Sequence, residues 1–599
     1  FIILGPLDGS SSGVIHDTLN ISMIFVNNSE AVTTSNPKMY NVGTTNYWLK
    51  TSDRPVIFIG KSTPTTTDVV INSLDNLYFA DFYQETVTIN NVNYTFELPT
   101  YIFYDNGNEI SLVSKMTDIL EENFVLASEI FQTGNNINFL GENRIEFTTV
   151  KPANYDENSE KFVASKISNY ALKYTTVNSN CNFKLGDNYT EVGESALAAL
   201  AAKSVDLNNV TLLGRYGLNG AKMFELKCDN VTKVDYHSLT SLANLDVINL
   251  PSVTYIEEYG FRYSAMSRVI IGDKLVTMRR HIFEGNKNLD TIYILSKLYD
   301  KKTSVDYIYE SSIPNINNLL LYVPSSMVTY FRDDTYSKDI LDSNIYGFEE
   351  SYTEEETGLV YLWSKIQGNE AQIESVVGLT ENTGISQLVI PSTVIETIIT
   401  EVADGETITQ VIEEIPYNVT RINDTFFNDL KNAIYIVGLE LPNNLEVFNG
   451  DNSLLTGSGI ASISISSENN KFETLDGVLY SKGKKVLMLY PIGKQSTSFV
   501  APNEVEMIYQ YAFMGNKYLQ NVSFPNNVTL LDGAFKECTS LQTVTFENII
   551  PSTFIGKGIF TSNGSGFVIY VPTGTRNDYI SNIIFDLDII DIIQENTQE

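Results

Sequence analysis

Three phrases decide the fold: Leu245-x-x-Ile248-x-Leu250, Met266-x-x-Val269-x-Ile271 and Leu289-x-x-Ile292-x-Ile294. Between them one large apolar position recurs as Leu218, Leu239, Phe261 and Phe283, at steps of 21, 22 and 22 residues. Val253 and Ile256 return 22 residues later as Leu275 and Met278. The pattern comes back late in the chain. There Val505, Ile508, Ala512 and Phe513 are followed by Val528, Leu531, Ala534 and Phe535. Likewise Leu519-x-x-Val522-x-Phe524 is followed by Leu541-x-x-Val544-x-Phe546.

Each phrase ends in alternating apolar positions, which places its last two side chains on one face of a short strand. Pro251, Pro502 and Pro525 fit turns or strand edges, where a missing N–H costs little. One coil of this length cannot bury its own apolar side. Stacked coils can, with Leu218, Leu239, Phe261, Phe283, Phe513 and Phe535 as the structural repeat core. The expected fold is α/β to mainly β: a right-handed leucine-rich repeat solenoid in two blocks, with a parallel sheet on one face.

The phrases Ile256-Glu257-Glu258-Tyr259-Gly260-Phe261 and Ile508-Tyr509-Gln510-Tyr511-Ala512-Phe513 resemble the core of BspA-like (Treponema-type) leucine-rich repeats. So does Ala534-Phe535-Lys536-Glu537-Cys538-Thr539-Ser540-Leu541. A second phrase similar to that family is Phe472-Glu473-Thr474-Leu475-Asp476-Gly477-Val478-Leu479-Tyr480, whose Asp-Gly pair also predicts a hairpin. Gly217-Leu218 and Ser238-Leu239 depart from the family's Ala-Phe pair. The resemblance covers about residues 205–345 and 360–599. It implies a surface protein that adheres to host proteins or other cells.

Four regions follow. Residues 1–195 do not repeat and read as a β-rich N-terminal region for docking or orientation. Ile21–Val26, Pro55–Ile59 and Val87–Ile89 are its strands, and Val113–Phe131 is an amphipathic helix. A short helix over Ser195–Lys203 leads into the first repeat block, 196–345. Residues 346–360, with Glu349, Glu350, Glu354, Glu355 and Glu356 in or beside them, read as an acidic, solvated linker. The second block is 361–599. Each block closes on a strand, a proline and a helix: Leu319–Pro324 then Tyr330, and Phe567–Pro572 then Tyr579. The tail Phe585–Ile593 caps a sheet edge.

Composition excludes whole classes of function. The 599 residues carry 39 Lys and Arg against 73 Asp and Glu, a net charge of −34. A nucleic-acid backbone is repelled by that field, and an anionic membrane is disfavoured. No apolar run is long enough to insert into a membrane. The start at Phe1, with no basic segment before it, reads as a processed product or a fragment.

Candidate chemistry is sparse. Cys181, Cys228 and Cys538 lie far apart with no CxxC pair, against structural zinc and against a disulfide framework. His237 and His281 occupy one repeat slot, filled elsewhere by Tyr259 and Tyr511, which makes them structural. His16 stands alone. Gly457-Ser458-Gly459 and Gly564-Ser565-Gly566 are loops rather than nucleophile elbows. With 73 acids, carboxylate pairs arise by chance, and the sequence singles out none. Asp586-x-Asp588 lacks a dedicated calcium loop. Sequons at Asn20, Asn93, Asn188, Asn209, Asn230, Asn418, Asn521 and Asn563 are no more numerous than this composition gives by chance. No catalytic, metal or cofactor site is expected.

What remains is surface. A solenoid repeats outward side chains at one place on every coil, and Tyr, Asn and Thr are plentiful for such a ladder. Ligand binding and mere solubility of the sheet are both open for it. The leading expectation is a non-enzymatic extracellular binding or adhesion protein with a protein or glycan ligand on a host or neighbouring cell. The alternative is a subunit of a larger assembly, such as a phage tail, a head decoration or a surface layer.

Overall fold

The computed structural model describes, apart from scattered positions within these ranges, residues 77–130, 162–297, 318–333, 342–379 and 384–597, together with short strands between 33 and 71 and between 134 and 149. His16, Asn20, Ile21–Val26 and Asp586 lie outside the described residues. Two compact units divide the chain, 1–347 and 348–599.

The first unit is built on in-register parallel ladders. One runs through Ile110–Lys115, Lys166–Ile167, Glu191–Val192, Leu212–Leu213, Lys233–Val234, Tyr255–Ile256 and Thr277–Met278. Another joins Asn123–Leu126, Asn182–Leu185, Ser204–Asp206 and Glu225–Lys227. A third continues with Val247–Leu250, Arg268–Ile271, Thr291–Ile294 and Leu320–Pro324. Register stacks like on like: Ile248, Val269, Ile292 and Leu321 form one inward column, and Leu250, Ile271 and Ile294 the next. Leu218, Leu239, Phe261 and Phe283 are all buried, and the two phenyl rings stack with centroids 5.7 Å apart.

A further ladder comes from the turns. Tyr216, Leu218 and Gly220 donate their backbone N–H groups to the carbonyls of Tyr236, Ser238 and Thr240 in the next coil, at 3.1, 2.9 and 2.9 Å. The intervening Gly217 and Asn219 donate three residues back, to Gly214 and Tyr216. This alternation uses a pair of left-handed residues four apart in each coil: Ser195 and Ala199, Tyr216 and Gly220, His237 and Ser241, Tyr259 and Tyr263, His281 and Gly285. A residue with a Cβ in that region costs roughly 1–2 kcal/mol, which the coil-to-coil bonds offset.

The second unit opens with strands Glu350–Thr353, Val360–Lys365 and Glu370–Val377, paired antiparallel. A long hairpin, Thr393–Asp404 with Thr407–Ile422, joins them. Parallel coils then follow. One ladder is Val486–Leu489, Met507–Ile508, Thr529–Leu530 and Thr553–Phe554. Its companion is Ser498–Val500, Asn521–Phe524, Thr543–Phe546, Val568–Val571 and Ile593–Glu595. The column Tyr490, Phe513, Phe535, Phe560 and Phe567 runs through the core at successive centroid distances of 4.8, 4.4, 5.3 and 5.2 Å. Asp476-Gly477, both left-handed, turns a hairpin between Phe472–Leu475 and Val478–Ser481.

Several expectations are corrected. The stretch 113–131 is not one helix; its described residues form strands Ile110–Lys115, Asn123–Leu126 and Glu129–Ile130. Coil pairing overrides a helical spacing there, and the coils begin at Ile110, inside the region that reads as non-repeating. Ser195–Lys203 is a coil turn, because left-handed Ser195 and Ala199 break any helix. The acidic stretch is no linker. Glu350–Thr353 pairs with Val360–Trp363, and the Glu354 carboxylate accepts from Thr357 N and Oγ1 at 2.9 and 2.6 Å. In the late repeat, Leu530 rather than Leu531 aligns with Ile508, because Val528 and Phe535 lie one residue closer together than Val505 and Phe513. Helices follow the two closing strands, Ser325–Asp333 and Arg576–Ser581, and Tyr579 is buried.

Buried asparagines close the corners. Asn516 donates through Nδ2 to the carbonyls of Pro491, Ile492 and Lys494 at 3.1, 3.2 and 3.0 Å, and its Oδ1 accepts from Tyr518 N and Leu519 N. Asn469 repeats the device on Asn443 and Leu445. An aspartate at 516 would set a carboxylate against three carbonyls. Asn516→Asp is therefore expected to destabilise the second unit by on the order of 3 kcal/mol in denaturant unfolding. Phe535→Ala removes the ring between Phe513 and Phe560 and is expected to cost about 3–5 kcal/mol by the same measurement, against under about 1 kcal/mol if the ring were not part of the stack.

Candidate functional site

The same register that stacks the core repeats the outward side chains of the turns. In the first unit the left-handed slot holds Tyr216, His237, Tyr259 and His281 in successive coils. Their rings form one column, at centroid distances of 5.1, 5.0 and 5.5 Å and interplanar angles of 6°, 12° and 11°. Tyr236, one residue before the slot, stands edge-on to Tyr216, His237 and Tyr259.

Guanidinium groups lie over one ring of this column and two rings beside it. Arg215 lies over Tyr236 at 5.1 Å, and Arg262 lies over Tyr259 and Tyr263 at 4.9 and 4.4 Å. Arg262 also pairs with Glu284 at 2.7 Å and donates to Tyr263 Oη at 3.0 Å. On the adjoining short strands, Arg279 Nε donates to Tyr255 Oη at 3.0 Å, Tyr255 donates to Glu257 at 2.7 Å, and Lys233 pairs with Asp235 at 3.0 Å. Planar groups stacked on rings lose little further freedom when a ligand arrives.

Gly285 makes room for this arrangement. A Cβ there would lie 2.1 Å from the Tyr263 ring, and Gly285 itself sits at φ +75°. Gly533 has the matching relation to Tyr511 in the second unit.

Charge is distributed unevenly. Residues 196–297 hold twelve Lys and Arg against ten Asp and Glu, in a chain whose net charge is −34. Five of the ten arginines fall at Arg215, Arg262, Arg268, Arg279 and Arg280.

Elsewhere the candidates turn inward. The three cysteines are free and buried. Cys538 donates to Phe513 O at 3.1 Å, and burial pushes its thiol up to about 12, which leaves it unreactive. Burial also raises the Glu374 carboxyl, which accepts from Asn423 Nδ2 at 2.6 Å and Gln372 Nε2 at 3.1 Å. Asp429 accepts from Ser375 Oγ at 2.6 Å and Val376 N at 3.0 Å. Both carboxylates tie the 3₁₀ turn Asp424–Leu430, or the Asn423 that caps it, to the strand Glu370–Val377. Ser458 is buried. Among the sequons, Asn209 and Asn230 donate their amides to the carbonyls of Asp187 and Asn208, and the Asn563 amide is buried. Among the described residues no group of three His, Cys, Asp or Glu is placed to hold a metal.

The sequence identified the His237 and His281 slot but not the residues around it. Tyr236, Arg215, Arg262 and Tyr263 become visible only when the step of 21 or 22 is applied to outward as well as inward positions.

His237 supplies a pH test. Burial, then Arg262 and Arg215, hold its imidazole below the usual histidine range, against the opposing pull of Glu258 and Glu284. The unfolded chain therefore takes up this proton first, and the stability contribution is present above about pH 6.5 and lost as pH falls below it. Thermal unfolding between about pH 5 and 7.5 should show the first unit weakening on acidification, and His237→Gln should flatten that dependence.

The model for the BspA type leucine-rich repeat region matches in six copies, over residues 165–290, 222–341 and 493–593. Curated proteins give no match. Among solved structures, a leucine-rich cell surface protein from Faecalibacterium prausnitzii is 15% identical, over 83% of this chain and 97% of that one, with a TM-score of 0.20. The pneumococcal vaccine antigen PcpA is 11% identical over 86% and 99%, with a TM-score of 0.17. A leucine-rich repeat protein from Eubacterium ventriosum is 15% identical over 72% of each chain, with a TM-score of 0.18. Scores this low carry no argument, and the fold rests on the register described above. The family match begins at 165, ahead of the repeats readable near 205, because the first coils lack the aromatic core residue; residues 342–492 fall outside it. Residues 165–341 and 493–593 are thereby BspA-type leucine-rich repeats.

Proposed function

We propose that this is a non-enzymatic binding protein of the cell exterior, which adheres to a protein or glycan on a host or neighbouring cell. The observation that carries the reading is the ordered column of Tyr and His rings across four coils of BspA-type repeats, with Arg215 and Arg262 on rings in and beside it. Such a ladder is pre-organised by the coil register, so binding need not order it first. The strong negative charge favours a soluble, non-aggregating surface and disfavours polyanionic partners.

The test is binding of the purified, fluorescently labelled chain to epithelial and bacterial cells, beside immunogold labelling of the source cells. Saturable cell binding with label along the cell envelope is the expected result. Label at one fixed place on viral particles, or release of reducing sugar from the bound surface, would replace this reading by an assembly subunit or an enzyme.

A further inference from the structure

We propose that the face formed by Tyr216, Tyr236, Tyr259 and Arg215 binds a linear, uncharged oligosaccharide laid along the coil axis. This deepens the adhesion reading, and rests on it, by naming the site and the ligand class.

The face has hydrogen-bonding capacity to spare. Among the described residues, the phenol groups of Tyr216, Tyr236 and Tyr259 donate to no protein acceptor, and the exposed Arg215 forms no ion pair. Tyr216, Tyr236 and Tyr259 are half-buried, so part of each ring is accessible, while His237 is buried in the stack between Tyr216 and Tyr259. A ring edge carries the positive end of the quadrupole and attracts hydroxyl oxygen, while a phenol group can donate to one or accept from one. Tyr263, 54% exposed beside Arg262, extends the face by one more ring.

Charge selects an uncharged ligand. Arg215, Lys233, Arg262 and Arg279 are balanced on this face by Asp235, Glu257, Glu258 and Glu284. A polyanion gains nothing here and meets repulsion from the rest of the chain. A polycation finds stronger attraction elsewhere on it. Shape disfavours a protein. Protein hot spots bury anchors in desolvated apolar pockets, whereas the accessible aliphatic side chains along these short strands are half-buried Leu212 and exposed Val276, which stand in separate coils and form no pocket wall between them. The column advances one ring per coil, and a glycan is itself a polymer of rings, so equivalent hydroxyls can meet successive coils.

The experiment is affinity electrophoresis of the full chain in gels containing mannan, xyloglucan, galactan, arabinoxylan or mixed-linkage glucan, with heparin and hyaluronan as charged comparisons. Retardation by at least one uncharged polysaccharide is expected. The Tyr236→Ala/Tyr259→Ala double variant should weaken it by roughly tenfold or more, as for loss of an aromatic anchor. Arg215→Ala, an exposed change that spares the coil core, should weaken it several-fold with unfolding temperature unchanged. Retardation by none of the uncharged polymers, retardation indifferent to Arg215→Ala and to the double variant, or retardation by heparin alone would overturn the proposal. Saturable cell binding that is indifferent to Arg215→Ala would overturn the saccharide site and leave adhesion standing. Absence of cell binding by the native chain would remove the adhesion reading itself.

Discussion

The backbone hydrogen bonds between successive coils fix everything else in each repeat unit. In the first unit, N–H groups of Leu218, Leu239 and Phe261 reach the carbonyls of Ser238, Gly260 and Ile282, and in the second Phe513 and Phe535 reach Ala534 and Ile559. The bonds hold only if each coil repeats the left-handed pair of its neighbour, which is why tyrosine, histidine, serine and glutamate tolerate φ near +50° to +60° there. Their strain is bonded down by the adjoining coils rather than relieved locally.

Stability then follows from nearest neighbours. Each coil buries its apolar side only against the coils beside it, so no coil is stable alone. The aromatic column through Phe513 and Phe535 and the carbonyl-satisfying Asn516 and Asn469 act across coils, not within one. Buried polar groups are tolerated because they are bonded: Cys228 donates to Asn249 O at 3.3 Å, and Ser296 to Leu275 O at 2.6 Å.

The same register creates the candidate site. An outward residue placed once per coil becomes a column without further design, and the Tyr216-to-His281 stack is the surface counterpart of the Phe261–Phe283 core stack. Rings that already touch, and guanidinium groups already laid on rings, give a rigid face. The proposed binding role rests on that rigidity and on local charge balance in a strongly acidic chain.

The repeat, its step and its inward residues are legible in the amino-acid order, because burial of one apolar side leaves a strict periodic trace. Leu218, Leu239, Phe261 and Phe283 were readable for that reason. The same periodicity also locates the His237 and His281 slot. Pairing between coils and strands is what makes Ser195–Lys203 a turn and Glu350–Thr353 a paired strand, and what starts the coils at Ile110. Those segments owe their conformation to hydrogen bonds with residues distant in sequence, which local propensity and composition do not encode. The stacked face lies between the two cases. Its spacing is written in the sequence, but whether neighbouring rings meet face to face depends on the coil-to-coil distance, and that distance is set by the backbone ladder alone.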